Sequence, residues 1–432
     1  MRAPWRYLLP CVLLCLTLPP RTGLAQAVSA KPRARNLGIT FGGQPGPNNA
    51  ITDVAGVEVG HVTLISGDGQ GEPGKGPVRT GVTAVLPRGR DGVSEEVFAA
   101  VFALNGNGEM TGTHWLNESG QLAGPLMITN TNDVGAVRDA VIAWAMKRGL
   151  AWELGLPVVA ETWDGTLNDI QGFHVKAPHA WQALDTARGG PVAEGSVGGG
   201  TGMVCHGFKG GIGTASRKLP DAEGGYTVGV LVQCNYGARR LLSVEGVPVG
   251  EEVTDLRTCY EGTQKPANEM FGKVLPCSAS GGVTKPTMKE GSGSIIVAVA
   301  TDAPLLPHQL ARLARRVPLG IAKMGGLGEN ASGDIFLAFS TQHLKAPGDA
   351  PIASVSVLDN ERMNPLFEAT VQATQESILN AMLAADTMTG AEGIRVFALP
   401  HDRLVKAMRK YGRLTSAPAQ APRKAAPGGR KP

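Results

Sequence analysis

The chain has 432 residues, with 41 Lys and Arg against 37 Asp and Glu, and no stretch in which basic and aromatic residues alternate, so a nucleic-acid partner is excluded. Its 59 Gly and 30 Pro, with only 5% aromatic residues, imply a β-rich fold with many tight turns and a core of Val, Ile, Leu and Ala. The length suits one large domain or two average ones.

At the N-terminus, Arg2 and Arg6 precede an apolar run, Tyr7 to Leu18, that is too short to span a bilayer as a permanent helix. Ala25-Gln26-Ala27 follows with the small-x-small pattern of a signal-peptidase site. Residues 1–27 are therefore expected to be a signal peptide, and the protein to be periplasmic or secreted and free of the membrane once the signal is removed. Cys11 and Cys15 leave with the signal, so Cys205, Cys234, Cys259 and Cys277 remain. None has zinc-site spacing, and no metal is expected. Cys259 and Cys277 flank a polar, Gly/Pro-containing stretch and are either bridged in an oxidising compartment or two free thiols.

Strands are expected at Val82–Leu86, Val97–Ala103, Pro157–Ala160, Tyr226–Gln233, Ser294–Ala300, Asp334–Phe339 and Arg395–Leu399. Several are continuous apolar runs, the mark of sheets covered on both faces. Helices are expected over Asp133–Arg148, stopping at Gly149, over Pro307–Arg316, and over Pro365–Ala385 with Asn364 as its cap. Asp302 is expected to cap a helix. Covered sheets with helices outside make a layered α/β sandwich.

Familiar motifs mostly fail. There is no H-E-x-x-H and no G-x-S-x-G elbow. The glycine-rich run EGSVGGGTGMVCHGFKGGIGT (194–214) does not keep a phosphate-loop frame and reads instead as backbone passing close to a ligand.

The informative stretch is KEGSGSIIVAVATDAPL (289–305), in which flexible residues run straight into a dry strand. A serine nucleophile needs a base, and no His is placed by motif to serve. Were Ser294 the first residue of a chain, its own α-amine, with an ordinary pKa near ~8, would be that base. Attack of Ser294 Oγ on the Gly293 carbonyl, then ester hydrolysis, would create such a residue. Ser292 is a rival site, and a plain flexible loop is the simpler alternative. In ENASGDIFLAFSTQ (329–342), Ser332 and Asp334 are two apart and face one side of an extended backbone. A hydroxyl there can relay a proton and the carboxylate can hold the base's ammonium form; a Ser-Gly-Asp turn entering a strand is the alternative.

Six stretches in order resemble the self-processing serine aminopeptidase family of the L-aminopeptidase/D-esterase DmpA and the bacterial β-peptidyl aminopeptidases. They are NAITDVAGVEVGHVTL (49–64), ETWDGTLNDIQGFHV (161–175), GSVGGGTGMVCHGFKGGIGTASR (195–217), GVLVQCNYG (229–237), GSIIVAVATDAPL (293–305) and SGDIFLAFST (332–341). The resemblance implies a four-layer αββα sandwich cut between Gly293 and Ser294. The N-terminal chain would be residues 28–293 and the C-terminal chain 294–412; composition, rich in Pro, Ala, Lys and Arg, marks 413–432 as a disordered basic tail. The resemblance makes Ser294 the nucleophile, Ser332 the supporting hydroxyl, Asp334 the carboxylate and Asn235 an oxyanion donor. It gives Glu161 the substrate's free amine to bind, and puts Trp163, whose indole N–H donates but cannot accept, beside it. It implies no cofactor, and small peptide, amide or ester substrates with a free amine. Two-chain units would form a homo-oligomer. An acyltransferase of the ornithine acetyltransferase type and an exported peptide-binding protein are the competing readings.

Overall fold

The computed structural model describes residues 31–69, 71–150, 155–267, 274–279, 293–342 and 352–414. The expected signal segment, Ser292 and the expected tail beyond Leu414 lie outside these residues.

Every residue of the strand Ser294–Thr301 is buried, and its alternation generates the layers. Ile295, Val297 and Val299 point to one side, into a core shared with Leu310, Leu313, Ile321 and Ile378 of covering helices. Ile296, Ala298 and Ala300 point to the other side, against Val85, Leu126, Ile128 and Val158 of a facing sheet. That second sheet carries helices on its far side, where Val82, Ala84 and Val159 meet Val137, Val141, Trp144 and Leu184. The result is a four-layer αββα sandwich, in which the central strands of both sheets are covered on both faces, as their continuous apolar runs require.

The larger sheet has the order Gln121–Leu122, Val97–Ala103, Gly333–Ser340, Ser294–Thr301, Thr227–Asn235, Gly211–Lys218. Ser294–Thr301 runs parallel to Gly333–Ser340 and antiparallel to Thr227–Asn235. The facing sheet has the order Glu58–Ser66, Val78–Leu86, Leu126–Asn130, Val158–Thr162.

Several expectations need correction. Among the longer strands, Glu58–Ser66, Leu126–Asn130 and Gly211–Lys218 were not expected, and neither were the two-residue strands, such as Gln121–Leu122 and Cys259–Tyr260. Glu58–Ser66 is a partly exposed edge strand, and Gly211–Lys218 is diluted by glycine. Gly213 is there because the helix Asn364–Ala384 lies on the strand; a Cβ at Gly213 would sit 2.0 Å from the Ser377 carbonyl oxygen. The expected helix over Pro307–Arg316 is found as Pro307–Ala314, and a further helix that was not expected, Val317–Lys323, follows it with Pro318 in its first turn. Asn364 lies inside its helix, capped by Met363, because a short 3-10 turn, Asn360–Arg362, already leads in. Asp302 caps no helix; its Oδ1 accepts from the Thr227 N–H at 2.7 Å and closes a strand end. The last expected strand shrinks to Ile394–Val396, in a small sheet with Cys259–Tyr260 and Met388–Thr389. Both cysteine pairs, Cys205–Cys234 and Cys259–Cys277, are bridged. Arg413 and Leu414 are still placed, with Leu414 packed on the core.

One buried cluster crosses the expected cut. Glu376, fully buried in the helix Asn364–Ala384, pairs with Arg35 at 2.8 Å and Arg217 at 2.7 Å, both from the part of the chain before Gly293. Leaving Glu376 unpaired would strand a charge in the core, so these pairs tie the two parts together.

Candidate active site

Ser294 opens its strand at the end of the larger sheet, opposite Asn235 and beside Gly333. It is 5% exposed, and its Oγ accepts the Gly333 N–H at 3.1 Å. The preceding residue has to be glycine. Gly293 has φ of 152°, and a Cβ on it would lie 2.1 Å from the Asn235 carbonyl oxygen. The loose backbone at the mouth of the strand is thus a close-approach requirement: the chain enters the sheet against the neighbouring strand's main chain.

Strand alternation sorts the other groups. Cys234 belongs to the helix-side core, so Asn235 turns toward the facing sheet, as Ser294 does. The Asn235 side chain is held at both ends: Oδ1 accepts from the Val204 N–H at 2.8 Å, and Nδ2 donates to the Trp163 carbonyl at 2.9 Å. One amide hydrogen is left to donate elsewhere. The glycine-rich run therefore serves the site indirectly. Its glycines at 198–200 meet protein, Gly199 approaching Gln233 and Gly200 approaching Ile212, and the run ends by delivering the Val204 N–H to Asn235.

Asp334 lies on the helix side of the same sheet and is fully buried. Its Oδ1 accepts from the Ile295 N–H at 3.2 Å and its Oδ2 from Asn105 Nδ2 at 3.2 Å. Asn105 Oδ1 in turn accepts the Asp334 N–H at 2.7 Å, so the two residues clasp reciprocally. Burial pushes the Asp334 pKa up to about 7; the bonds from Asn105 and Ile295 oppose this, and the Glu329 charge adds to it. Ser332 is also buried, just before the strand, and its hydroxyl has no hydrogen-bond partner. Ser332 and Asp334 are thus brought to the Ser294 end as expected, but only the carboxylate bonds the neighbouring strand.

Glu161 comes from the facing sheet, on the strand Val158–Thr162, and is 3% exposed. Oε1 accepts from the Glu109 N–H at 3.0 Å, and Oε2 accepts a short hydrogen bond from the Thr131 hydroxyl. Burial raises its pKa, while these two bonds pull it down. Gly108 separates this carboxylate from the nucleophile's neighbour: a Cβ there would be 2.9 Å from Gly333 Cα and 3.4 Å from Glu161 Oε1. Trp163 lines an open cavity of about 480 Å³ with Gly71, Asn168, Ile170 and Gln171, its ring lying close over Gly165.

Asn105, Thr131 and Val204 are the site residues that sequence reasoning missed. Their one signal is position: Asn105 falls in the Asn/Gly-rich turn LNGNGEM (104–110) that follows the strand Val97–Ala103. Among the described residues, no group of three or more His, Cys, Asp or Glu is arranged to hold a metal.

The arrangement puts a hydroxyl, an amide donor and a carboxylate from the facing sheet on one side of a sheet end, with a second carboxylate beneath. That is the equipment for acyl transfer from a substrate bearing a cation. The family model for Peptidase family S58 matches residues 49–396. The chain belongs to this family. It is 53% identical over 401 residues to the β-peptidyl aminopeptidase BapA of Sphingosinicella microcystinivorans, covering 91% of this chain and 96% of that one. Among solved structures, it resembles a Burkholderia sp. β-aminopeptidase (45% identity, TM-score 0.73, 88% of this chain and 99% of that one). It also resembles the L-aminopeptidase D-Ala-esterase/amidase from Ochrobactrum anthropi, described as a prototype serine aminopeptidase and a variant of the Ntn hydrolase fold (43% identity, TM-score 0.76, 89% and 100% covered). The protein is a serine aminopeptidase of this fold.

Proposed function

We propose that the protein removes an N-terminal residue, of β-peptidyl type as the name of the BapA relative indicates, through an acyl-enzyme on Ser294. The observation that carries the reading is the register that sets Ser294, Asn235 and Gly333 side by side at a sheet end, with Gly293 pressed on the Asn235 carbonyl. Cleavage at Gly293 frees the Ser294 amine, which takes the proton of Oγ as Oγ attacks the substrate carbonyl and then gives it to the leaving nitrogen. The remaining N–H of Asn235 receives the oxyanion. Water then attacks the ester by the same proton path. Glu161 binds the substrate's ammonium: it is buried and already oriented by Thr131 and Glu109, and an incoming cation would favour its charged form. Export through the segment 1–27 and assembly of two-chain units into a homo-oligomer complete the proposal, and the Arg35 and Arg217 pairs with Glu376 support association of the chains after cleavage.

The test compares one chromogenic β-aminoacyl amide in free and N-acetylated form. An acetylated substrate leaves Glu161 buried without a cation, which should lower kcat/KM on the order of a thousandfold. Glu161→Gln should still split its chain, since self-cleavage involves no free amine, while losing most activity on the free substrate. Equal rates on both forms by the wild type would reduce the protein to a self-processing amidase.

A further inference from the structure

Behind Ser294, on the helix side of the sheet, three residues carry polar atoms that are sealed from solvent and lack a hydrogen-bond partner. They are Tyr236 Oη, Ser332 Oγ and both carboxylate oxygens of Glu329. Tyr236 and Ser332 are each 1% exposed. An unsatisfied buried polar group costs about 1–3 kcal/mol, so several in one place ask for a common explanation.

Their placement supplies one. Tyr236 follows Asn235, the residue opposite Ser294, and its ring packs on Gly326 and edge-on to His206 at 4.8 Å. Glu329 and Ser332 belong to one turn, Ser332 N–H donating to the Glu329 carbonyl at 3.0 Å. Asn105 Nδ2 bridges that carbonyl and Asp334 Oδ2, each at 3.2 Å. The negative charges of Asp334 and Glu329 both reach Tyr236, whose hydroxyl is held well above its ordinary pKa, chiefly by burial.

We propose that Glu329 is a second carboxylate of the catalytic centre, which together with the hydroxyls of Ser332 and Tyr236 receives the ammonium form of the Ser294 amine and sets the pH at which it releases its proton. The inference rests on the reading that cleavage makes Ser294 N-terminal. An ammonium brings three donors and no acceptor, and needs acceptors around it. Asp334 already accepts a bond on each oxygen, from Ile295 and from Asn105, whereas Glu329 accepts on neither. In the proposed arrangement the Tyr236 hydroxyl, which has no partner in the uncut chain, turns to donate to the carboxylate pair and limits their hold on the proton. The other ionisable groups facing the cluster are His206, held neutral by burial and the nearby Arg239, and, across the sheet end, Glu161 with Glu109 beside it. Glu329 acts through the amine and is a positioning residue.

The test is the acidic limb of the kcat/KM–pH profile, read on self-cleaved enzyme. Glu329→Gln removes a negative charge, so both Asp334 and the Ser294 amine lose their protons at lower pH, and the limb should move down by roughly half a unit to one unit. Glu329→Asp keeps the charge and should return the limb toward the wild-type position. Tyr236→Phe, a near-isosteric change suited to a dense core, removes a donor to the carboxylates and should move the limb up. A merely structural role would lower activity in all three and leave the limb in place. An unmoved limb in both Glu329→Gln and Tyr236→Phe, or a shift of both in the same direction, overturns the proposal. If Glu329→Gln does not fold, an unmoved limb in Tyr236→Phe alone does so. A wild-type protein that stays uncut overturns instead the N-terminal role of Ser294, which a denaturing gel reads separately.

Discussion

The proposed nucleophile end and the proposed amine-binding end of the site stand on facing sheets and are assembled by different means. Ser294, Asn235 and Asp334 are placed by ladder register: each sits at the end of a fully buried strand, and a one-residue slip would turn every side chain to the wrong face. Glu161 is also on a buried strand, but its two carboxylate partners come from outside it, the Glu109 backbone and the Thr131 hydroxyl. The first arrangement makes a rigid reaction centre that tolerates little change. The second, if Glu161 binds the substrate amine, leaves recognition to groups outside the ladder.

The sharpest way to break this contrast is Asn235→Ala. If register has placed Asn235 to donate to the oxyanion, kcat should fall by roughly a hundredfold to a thousandfold with KM little changed. Comparable losses in kcat and 1/KM would mean that Asn235 instead anchors Trp163 and Val204 for substrate binding. Steady-state kinetics on one amide decides.

A smaller effect is expected at Asn105, a loop residue that clasps Asp334 at the nucleophile end. Asn105→Ala leaves the buried Asp334 N–H and one carboxylate oxygen without partners, so stability should drop by about 1–3 kcal/mol. The Asp334 pKa should rise further, since the Asn105 bond pulls it down. Urea denaturation and kcat measured together check this: unchanged stability would show that the clasp with Asp334 contributes nothing, and would leave the nucleophile end to register alone.

The mildest test concerns how dry the nucleophile end is beneath Tyr236. His206 is fully buried and its pKa is held down to about 4, chiefly by desolvation. The folded protein keeps this imidazole neutral while the unfolded chain protonates it near ~6.5. Its contribution is therefore complete above that pH and is lost as pH falls toward about 4, with a slope of at most about 1.4 kcal/mol per pH unit. His206→Gln should show a shallower loss of stability over that window, and identical slopes would mean that water reaches the ring.

How much could be read in advance follows the same division. The strand Val97–Ala103 matches its expectation residue for residue, and Ser294–Thr301 and Gly333–Ser340 differ from theirs only at the ends, because a strand covered on both faces writes itself as an apolar run. Ser294 and the pair Ser332 and Asp334 could be suspected from spacing alone. Glu161 and Asn235 could not: a lone carboxylate before Thr-Trp-Asp and an Asn before Tyr-Gly carry no chemical mark, and only resemblance singled them out. Asn105 and Thr131 escaped both routes, because their roles exist only once loops far apart in sequence meet. The strand Gly211–Lys218 was hidden for a third reason, since Gly213 reports a helix pressed on the strand rather than a turn.

The most direct test is the intact mass and N-terminal sequence of the purified wild-type protein beside Ser294→Ala. The proposed mechanism predicts two chains in the wild type, the second beginning at Ser294, and full activity only in the split form. It predicts one uncut, inactive chain in the variant, whose side chain has nothing to attack the Gly293 carbonyl. A wild-type protein that is active with the Gly293–Ser294 bond intact, or a Ser294→Ala variant that still splits there, would contradict it.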